Sequence, residues 1–156
     1  MLLEQDVSLN FLVTPDSLED LGAESMQHIF EARFSQQSAE RMHLGLSLLS
    51  INLTEKVTIR NASQSILLLP LGKSNNLSYS QAQWRGKAPE LRLSPRLLGA
   101  LLAFFARYLR DGFASVNHFD IDIEPSEDSI GVFIVLKVDK FAPPITHDQL
   151  VRMTED

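Results

Sequence analysis

The stretch that decides the fold is Ser94 to Gly112, SPRLLGALLAFFARYLRDG. A serine that can cap a helix precedes a proline, which favours the first helical position, and a glycine closes the segment. The apolar residues between them cover most of the circumference of the helix predicted for residues 95–111. A helix that is apolar nearly all round is buried on more than one side. We therefore expect it either to lie centrally under a sheet or to present a spare apolar face to another molecule.

Alternating apolar residues on both sides of this helix predict strands. Such alternation, which is typical of half-buried strands, occurs in residues 7–13, 57–60, 66–71, 119–124 and 130–139. The last of these runs is apolar on both faces, so we predict that it is a central strand.

The first half of the chain contains two further segments with regular apolar spacing. In residues 23–37 the apolar residues recur at helical spacing, which predicts an amphipathic helix. Residues 42–53 fit a strand with a β-bulge. They fit a helix almost as well, with Met42, Leu46, Leu49 and Leu53 aligned on one face, since leucine favours helices. We interpret residues 42–53 as a strand and keep the helix as the alternative.

These elements predict a single α+β domain over residues 1–156, with a mostly antiparallel sheet and two main helices packed on it. The predicted order is β-α-βββ-α-ββ-α. Residues 72–93 are rich in glycine, serine, asparagine and glutamine, and we predict that they form a long polar loop. Residues 141–156 form a C-terminal extension with a short predicted helix.

Composition and charge narrow the classes of function. The absence of cysteine excludes disulfides and thiolate metal sites. The net charge of −6 is divided into −5 over residues 1–60, +6 over residues 61–110 and −7 over residues 111–156. This pattern suits self-association or a partner with its own charge pattern. Acidic residues stand where a signal peptide would be basic, and no apolar run would span a bilayer, so we expect a cytoplasmic protein.

The sharpest chemical pattern is the set His118, Asp120, Asp122 and Glu124. Alternate residues of a strand share one face, and oxygen ligands at this spacing suit Mg²⁺, Mn²⁺ or Ca²⁺. The runner-up function is therefore a metal-dependent enzyme. A second interpretation is a solvated strand face whose other side meets the core. In a third, the acidic stripe borders an apolar strip on the next strand and binds a protein.

The segment from Lys73 to Arg96 is basic and contains Tyr79 and Trp84. Its cations could pair with phosphates and its aromatic rings could stack on bases, which makes a weak nucleic-acid binder the second alternative. The acidic net charge of −6 argues against a dedicated nucleic-acid protein. A charged protein interface fits better. The residues that we predict to bind a partner are Trp84, Arg85, Lys87, Arg92, Arg96, Phe104 and Tyr108.

The sequence contains no nucleophile motif and no His-Glu-x-x-His pair. We therefore predict no catalytic residues and no cofactor. The favoured function is a non-catalytic protein-binding or assembly protein, adaptor or chaperone-like, which forms a homodimer and binds a further protein. We do not expect a membrane or nucleic acid to be its partner.

Overall fold

The computed structural model describes residues 2–13, 27–71, 79–112, 118–139 and 147–154. Within these residues the chain forms nine strands and three helices. The strands are β1 (Leu2–Asp6), β2 (Ser8–Val13), β3 (His28–Phe34), β4 (Lys56–Arg60), β5 (Ser65–Pro70), β6 (Gln81–Arg85), β7 (Ala88–Leu93), β8 (His118–Ile123) and β9 (Val132–Val138). The helices are α1 (Gln36–Ser50), α2 (Pro95–Asp111) and α3 (His147–Thr154).

The strands form two sheets. Sheet A has the strand order β1-β4-β5-β7-β6, and sheet B has the order β2-β3-β9-β8. Among the described residues, four strand pairings are antiparallel and three are parallel. The predicted single α+β domain with two main helices is confirmed. Its β structure is divided between two sheets, and each sheet contains parallel as well as antiparallel pairs.

The chain contains two copies of one structural unit: an antiparallel strand pair, a helix and a second antiparallel strand pair. The first unit is β2-β3-α1-β4-β5 and the second is β6-β7-α2-β8-β9. Each unit contributes its last pair to the other unit's sheet, because β9 lies parallel to β3 and β5 lies parallel to β7. When each strand of sheet B is replaced by its counterpart in the other unit, the order β2-β3-β9-β8 becomes β6-β7-β5-β4. This is the order of sheet A, which has β1 as an additional strand.

The start of each helix shows the same correspondence in detail. Ser35 caps α1 and Ser94 caps α2, and each side chain accepts a hydrogen bond from the backbone N–H three residues later. In both units the residue before this serine also accepts a backbone hydrogen bond from the residue that follows the parallel strand. These two bonds are Asp139 N–H to Phe34 C=O and Leu71 N–H to Leu93 C=O, both 2.9 Å long.

The two helices pack against each other and bury the same face in one shared core. With Ser35 matched to Ser94, four buried positions correspond. They are Ala39, Met42, Leu46 and Leu49 in α1, and Leu98, Leu101, Phe105 and Tyr108 in α2. Because both helices present the same face to the core, their outer faces can be compared position by position.

Residues 42–53 lie largely in α1, so their interpretation as a strand is wrong and the helical alternative is correct. Met42, Leu46 and Leu49 are fully buried, as that alternative requires, but Leu53 lies beyond the end of the helix and is exposed, so its predicted place on the buried face is wrong. A leucine-rich segment favours a helix in isolation. Here it also starts from a capped N-terminus at Ser35, which keeps the helical register up to Ser50.

The helix predicted for residues 23–37 is also wrong over its described part, which contains β3 and the first residues of α1. Phe30, Ala32 and Phe34 are buried on one face of β3. The small side chain of Ala32 conceals this alternation in the sequence. Pairing with β2 on one side and β9 on the other overrides the local helical spacing.

Residues 81–93 of the predicted polar loop form a hairpin, β6 and β7, so the loop prediction is wrong there. The two strands are joined by a two-residue turn that begins with Gly86, whose φ of 65° suits such a turn. Pro89 lies in β7, but the pairing with β5 begins at Glu90, so its missing donor falls outside the parallel ladder. Residues 72–78 lie outside the described residues.

The observed order, βββ-α-ββββ-α-ββ-α, therefore differs from the predicted one mainly in the first half and in the supposed loop. Within the predicted C-terminal extension, α3 spans His147–Thr154. Residues 140–146 and 155–156 lie outside the described residues. None of the helices in the described ranges combines the length and the hydrophobicity that crossing a bilayer requires.

Candidate functional site

The acidic stripe of β8 lies at the edge of sheet B. His118, Asp120 and Asp122 are exposed, while the residues between them face the core. The His118 Nε2 atom lies 3.5 Å from an Asp120 carboxylate oxygen. The side chain of Gln27 donates a hydrogen bond to Asp122. The stripe is thus a solvent-facing row of one imidazole and two carboxylates.

The metal site considered for this stripe and Glu124 receives no further ligand from the next strand. Asp120 and Asp122 lie opposite Val135 and Phe133 of β9, which are apolar. Glu124 follows β8 and is exposed. Within the described ranges, no three histidine, aspartate or glutamate side chains form a group that could hold a metal ion. The described residues therefore provide no metal site that would support a metal-dependent enzyme.

The stripe does border an apolar strip, as the third interpretation expects. Phe133 and Val135 of β9 and Ile29 of β3 are half-buried on the same face of sheet B. Beyond them, the Lys137 ammonium lies 3.3 Å from the Glu31 carboxylate. Carboxylates beside half-buried apolar side chains suit a protein partner better than a small anion.

The basic residues predicted to bind a partner are partly paired within their own hairpin. Arg85 and Arg92 flank Glu90, with nitrogens 3.1 Å and 3.7 Å from its carboxylate oxygens. Lys87 and Arg96 are exposed. Because Glu90 lies between the two arginines, the hairpin presents a smaller positive charge than its sequence suggests. This arrangement does not favour the nucleic-acid alternative.

Trp84 is half-buried and therefore offers only part of its ring to a partner. Its indole packs edge-on against His28, with ring centroids 4.8 Å apart. Burial lowers the pKa of His28 below its usual 6.5. The His28 Nδ1 atom is buried and has no hydrogen-bond partner. This contact holds β6 against β3 and is structural.

Phe104 and Tyr108, which we expected on a spare apolar face of α2, pack into the protein. Tyr108 is fully buried and donates a hydrogen bond to the Asp139 carbonyl. Burial, with the nearby Asp139 charge, raises the pKa of Tyr108 to about 12. Phe104 is half-buried against Phe105 and Phe119. No α2 residue is among the exposed large apolar side chains of the described chain, so the spare face expected on α2 is wrong.

Exposed apolar side chains lie instead on α1 and just beyond its end. Leu44, Ile51 and Leu53 are 55%, 61% and 62% exposed, and Leu48 is half-buried between them. Leu44, Leu48 and Ile51 are four and three residues apart, so they share one side of the helix. We refer to Leu44, Leu48, Ile51 and Leu53 together as the α1 face.

The backbone at the end of α1 holds Leu53 in this group. The Leu53 N–H donates to the Leu48 carbonyl at 2.9 Å, and the Asn52 N–H donates to the Leu49 carbonyl at 3.2 Å. Asn52 has a φ of 59°, in the left-handed region. Together these features form a Schellman ending, which commonly brings the residue after the turn against the last helical turn.

The equivalent surface of α2 is not apolar. Leu44, Leu48 and the C-cap residue Ile51 correspond to Ala103, Arg107 and Arg110, all of which are exposed. Both helices occupy the same place in the same structural unit. Large apolar residues are therefore not required at these positions for the unit to fold.

The α1 face was absent from the sequence prediction because residues 42–53 were interpreted as a strand. Its signal lies seven residues upstream of that segment, at the helix cap. Ser35 is followed by Ser38, and their side chains form a reciprocal cap. A capping box is usually sought with glutamate or glutamine at the later position. A serine there gives a weaker sequence signal.

Comparison with known proteins adds no assignment to this geometry, since no protein-family model matches the chain and no curated protein sequence matches it.

Proposed function

We propose that the protein is a non-catalytic protein-binding or assembly protein, adaptor or chaperone-like, that acts as a homodimer in the cytoplasm. The α1 face is the surface on which two copies meet. The observation that carries the proposal is the exposure of Leu44 and Ile51 at positions where the other unit exposes Ala103 and Arg110.

Two features of the α1 face support a second copy as its occupant. In a two-fold dimer the same patch meets itself, so apolar side chains are buried on both partners at once. The exposed Glu40 and Arg41 lie on the same helix. Having both signs of charge beside the patch lets each copy offer an acid to the other copy's base.

Sedimentation velocity at several protein concentrations tests the proposal. We expect a dimer that dissociates on dilution. The test variant is Leu48→Arg with Ile51→Arg, which places on α1 the residues that α2 carries at Arg107 and Arg110. Leucine and arginine have similar helix propensities, so the helix should be retained. We expect each substitution to raise the dimer Kd at least about tenfold, because a buried apolar side chain is replaced by a charge.

Ala106→Arg is the matched control, because it adds one charge to an exposed position of α2 and leaves the α1 face unchanged. It should sediment like the wild type. Circular dichroism and thermal melting confirm that all three proteins are folded. A wild-type protein that stays monomeric at high micromolar concentration contradicts the proposal. So does a dimer that is unaffected by the two arginines.

A further inference from the structure

We propose that the outer edge of β8 binds an extended segment of a partner protein, which adds to sheet B as a strand parallel to β8. The segment carries lysine or arginine at the positions beside Asp120 and Asp122. This inference rests on the protein-binding role proposed above, but it uses a different surface from the α1 face.

The internal duplication gives the first reason. In the second unit β8 is the counterpart of β4, because each is the outer strand of the pair that its unit contributes to the other unit's sheet. The edge of β4 is covered by β1, which runs parallel to it from Leu2 to Asp6. In the described residues no strand covers the corresponding edge of β8. Among the described residues, the same strand geometry therefore accepts a parallel strand at β4 and has none at β8.

At the outer strands β6 and β2, contacts from other residues occupy some backbone groups. The Ile130 N–H donates to the Ala82 carbonyl of β6 at 2.9 Å, and the Ser129 hydroxyl accepts from the Ala82 N–H. The Asn61 side chain likewise donates to the Leu9 carbonyl of β2. These contacts occupy backbone groups at the edges of β6 and β2. On β8 a contact of this kind lies at the last strand residue, where the Ile123 carbonyl accepts from the Gln27 side chain at 3.2 Å. An edge with unpaired backbone groups is a template for strand addition.

The register of the two units identifies which residues correspond. Ile59 lies opposite Ile66 on β5, and Ile121 lies opposite Ile134 on β9. Phe34, which precedes the cap of α1, lies opposite Val138 in β9, and Leu93, which precedes the cap of α2, lies opposite Pro70 in β5. Ile134 and Ile66 each lie four residues before these partners. Ile59 therefore corresponds to Ile121. The alternate positions on the other face of these strands then match as Lys56 to His118, Thr58 to Asp120 and Arg60 to Asp122, although Thr58 is buried.

Charge gives the second reason and selects the partner. β4 presents Lys56 and Arg60, and the strand that covers it, β1, contains Glu4 and Asp6. In the register, Asp6 lies beside Arg60. On β8 the position of Arg60 is taken by an aspartate, and the position of Thr58 is also acidic. Opposite charges on adjacent strands stabilise the pairing of the strands, and like charges weaken it. The strand that pairs best with β8 is therefore basic.

The same charges disfavour a second copy of this chain as the occupant. An antiparallel β8 from another copy would bring Asp120 and Asp122 near their own equivalents. A second β1 would bring Glu4 and Asp6 to the same edge. These two segments of a second copy are therefore disfavoured, and we assign the edge to a segment of another protein.

Apolar side chains around the edge define the rest of the segment. Phe119 of β8 and Phe104 of α2 are both half-buried and lie 5.5 Å apart between ring centroids, on the core side of the sheet. A strand added at β8 would place alternate side chains over this pair. The segment that fits has apolar residues on this side and basic residues on the solvent side.

The test uses synthetic peptides derived from β1. The probe is a fluorescein-labelled peptide of residues 1–7 that carries Glu4→Lys and Asp6→Lys. The matched control is the same peptide with the unchanged sequence. A third peptide adds Gln5→Pro to the lysine peptide, which removes a backbone donor in the middle of the strand. Fluorescence anisotropy measures the Kd, and amide NMR with hydrogen exchange locates the binding.

We expect the lysine peptide to bind on the order of tenfold more tightly than the unchanged peptide, since two cross-strand pairs change from repulsive to attractive. The proline peptide should bind weakly. On binding, amides of residues 118–123 should shift and alternate ones should exchange more slowly. In the protein variant Asp120→Lys with Asp122→Lys, the preference between the two peptides should reverse. Because Asp122 accepts a bond from Gln27, the single variant Asp120→Lys is measured beside it.

Several outcomes overturn the inference. One is slow exchange, in the free protein, of the β8 amides that do not pair with β9. The others are equal binding of both peptides, binding away from β8, and no binding at all. The dimer variant Leu48→Arg with Ile51→Arg should bind the lysine peptide as the wild type does, and Asp120→Lys should leave self-association unchanged. A failure at β8 is thereby distinguished from a failure of the α1 face.

Discussion

Replacing Phe105 with alanine should destabilise the protein far more than the same change at its neighbour Phe104. Phe105 is fully buried, and its ring packs edge-on against Phe34 and Phe104 with centroids 5.1 Å and 5.3 Å away. Removing a buried ring and leaving a cavity costs about 3–5 kcal/mol. Phe104 is only half-buried, so the Phe104→Ala variant should lose about 1–2 kcal/mol. A domain has about 5–15 kcal/mol of stability in total, so the first change is large and measurable.

Urea unfolding followed by the fluorescence of Trp84, the single tryptophan, measures both variants. The urea midpoint should fall strongly for Phe105→Ala with an unchanged m-value. The thermal midpoint should fall by about 2–4 °C per kcal/mol, or about 6–20 °C in all. Equal losses in the two variants, or losses below about 1 kcal/mol in both, refute the orientation of α2. Losses below about 1 kcal/mol in both variants would mean that the helix has the spare apolar face that its sequence suggests.

Three further predictions follow from single residues. Asn52→Gly should raise the free energy of unfolding by up to about 1 kcal/mol, and Asn52→Val should lower it by about 1–2 kcal/mol. The reason is that the φ of 59° at this position suits glycine and disfavours a β-branched residue. Urea midpoints in the reverse order contradict the Schellman ending. In a Tyr79→Phe variant, which leaves Tyr108 as the single tyrosine, the phenolate absorbance should titrate near pH 12. Because folding raises the pKa of Tyr108 from 10.0, the contribution of Tyr108 to stability is lost as the pH rises from 10.0 to about 12. A titration midpoint at 10.0 would show that Tyr108 is not buried. Burial lowers the pKa of His28 below 6.5, so the neutral imidazole stabilises the fold above pH 6.5 and stability falls as the pH drops below that value. The melting temperature of a His28→Phe variant should fall less with decreasing pH than that of the wild type. An equal fall in both proteins counts against a stabilising role of the neutral His28.

From Ser94 onward the described chain was largely predictable, because its local signals agree with one another. Ser94 caps α2, and Gly112 ends it with a φ of 75°. The alternation in β8 places Asp120 and Asp122 in solvent and Ile121 in the core, as its period of two predicts. Where capping, turn and hydropathy signals coincide, tertiary contacts have little to override.

The first half was not predictable in the same way, because its structure depends on non-local pairing. β3 gains its parallel neighbour from β9, about one hundred residues later in the chain. Its outward residues Glu31 and Arg33 and its small Ala32 resemble a helical surface when taken without that neighbour. The α1 face could not be predicted until the segment that carries it was known to be a helix.

The duplication itself is invisible in the residue types. The buried residues Ala39 and Leu98 correspond, as do Met42 and Leu101, yet the members of each pair differ in size. Burial is shared between the units, while identity is not. A core tolerates such exchanges when neighbouring side chains compensate in volume, so a shared architecture leaves little trace in the sequence.

The two units therefore provide an internal control for deciding which surface features the fold needs. Positions that are buried in both units are explained by packing alone. The outer positions of α1 and α2 differ in hydropathy, and the edges of β4 and β8 differ in charge and in whether a described strand covers them. Folding imposes the same requirement on both units, so it explains neither difference. Binding to another chain, as proposed above for both surfaces, is a requirement that can act on one unit alone.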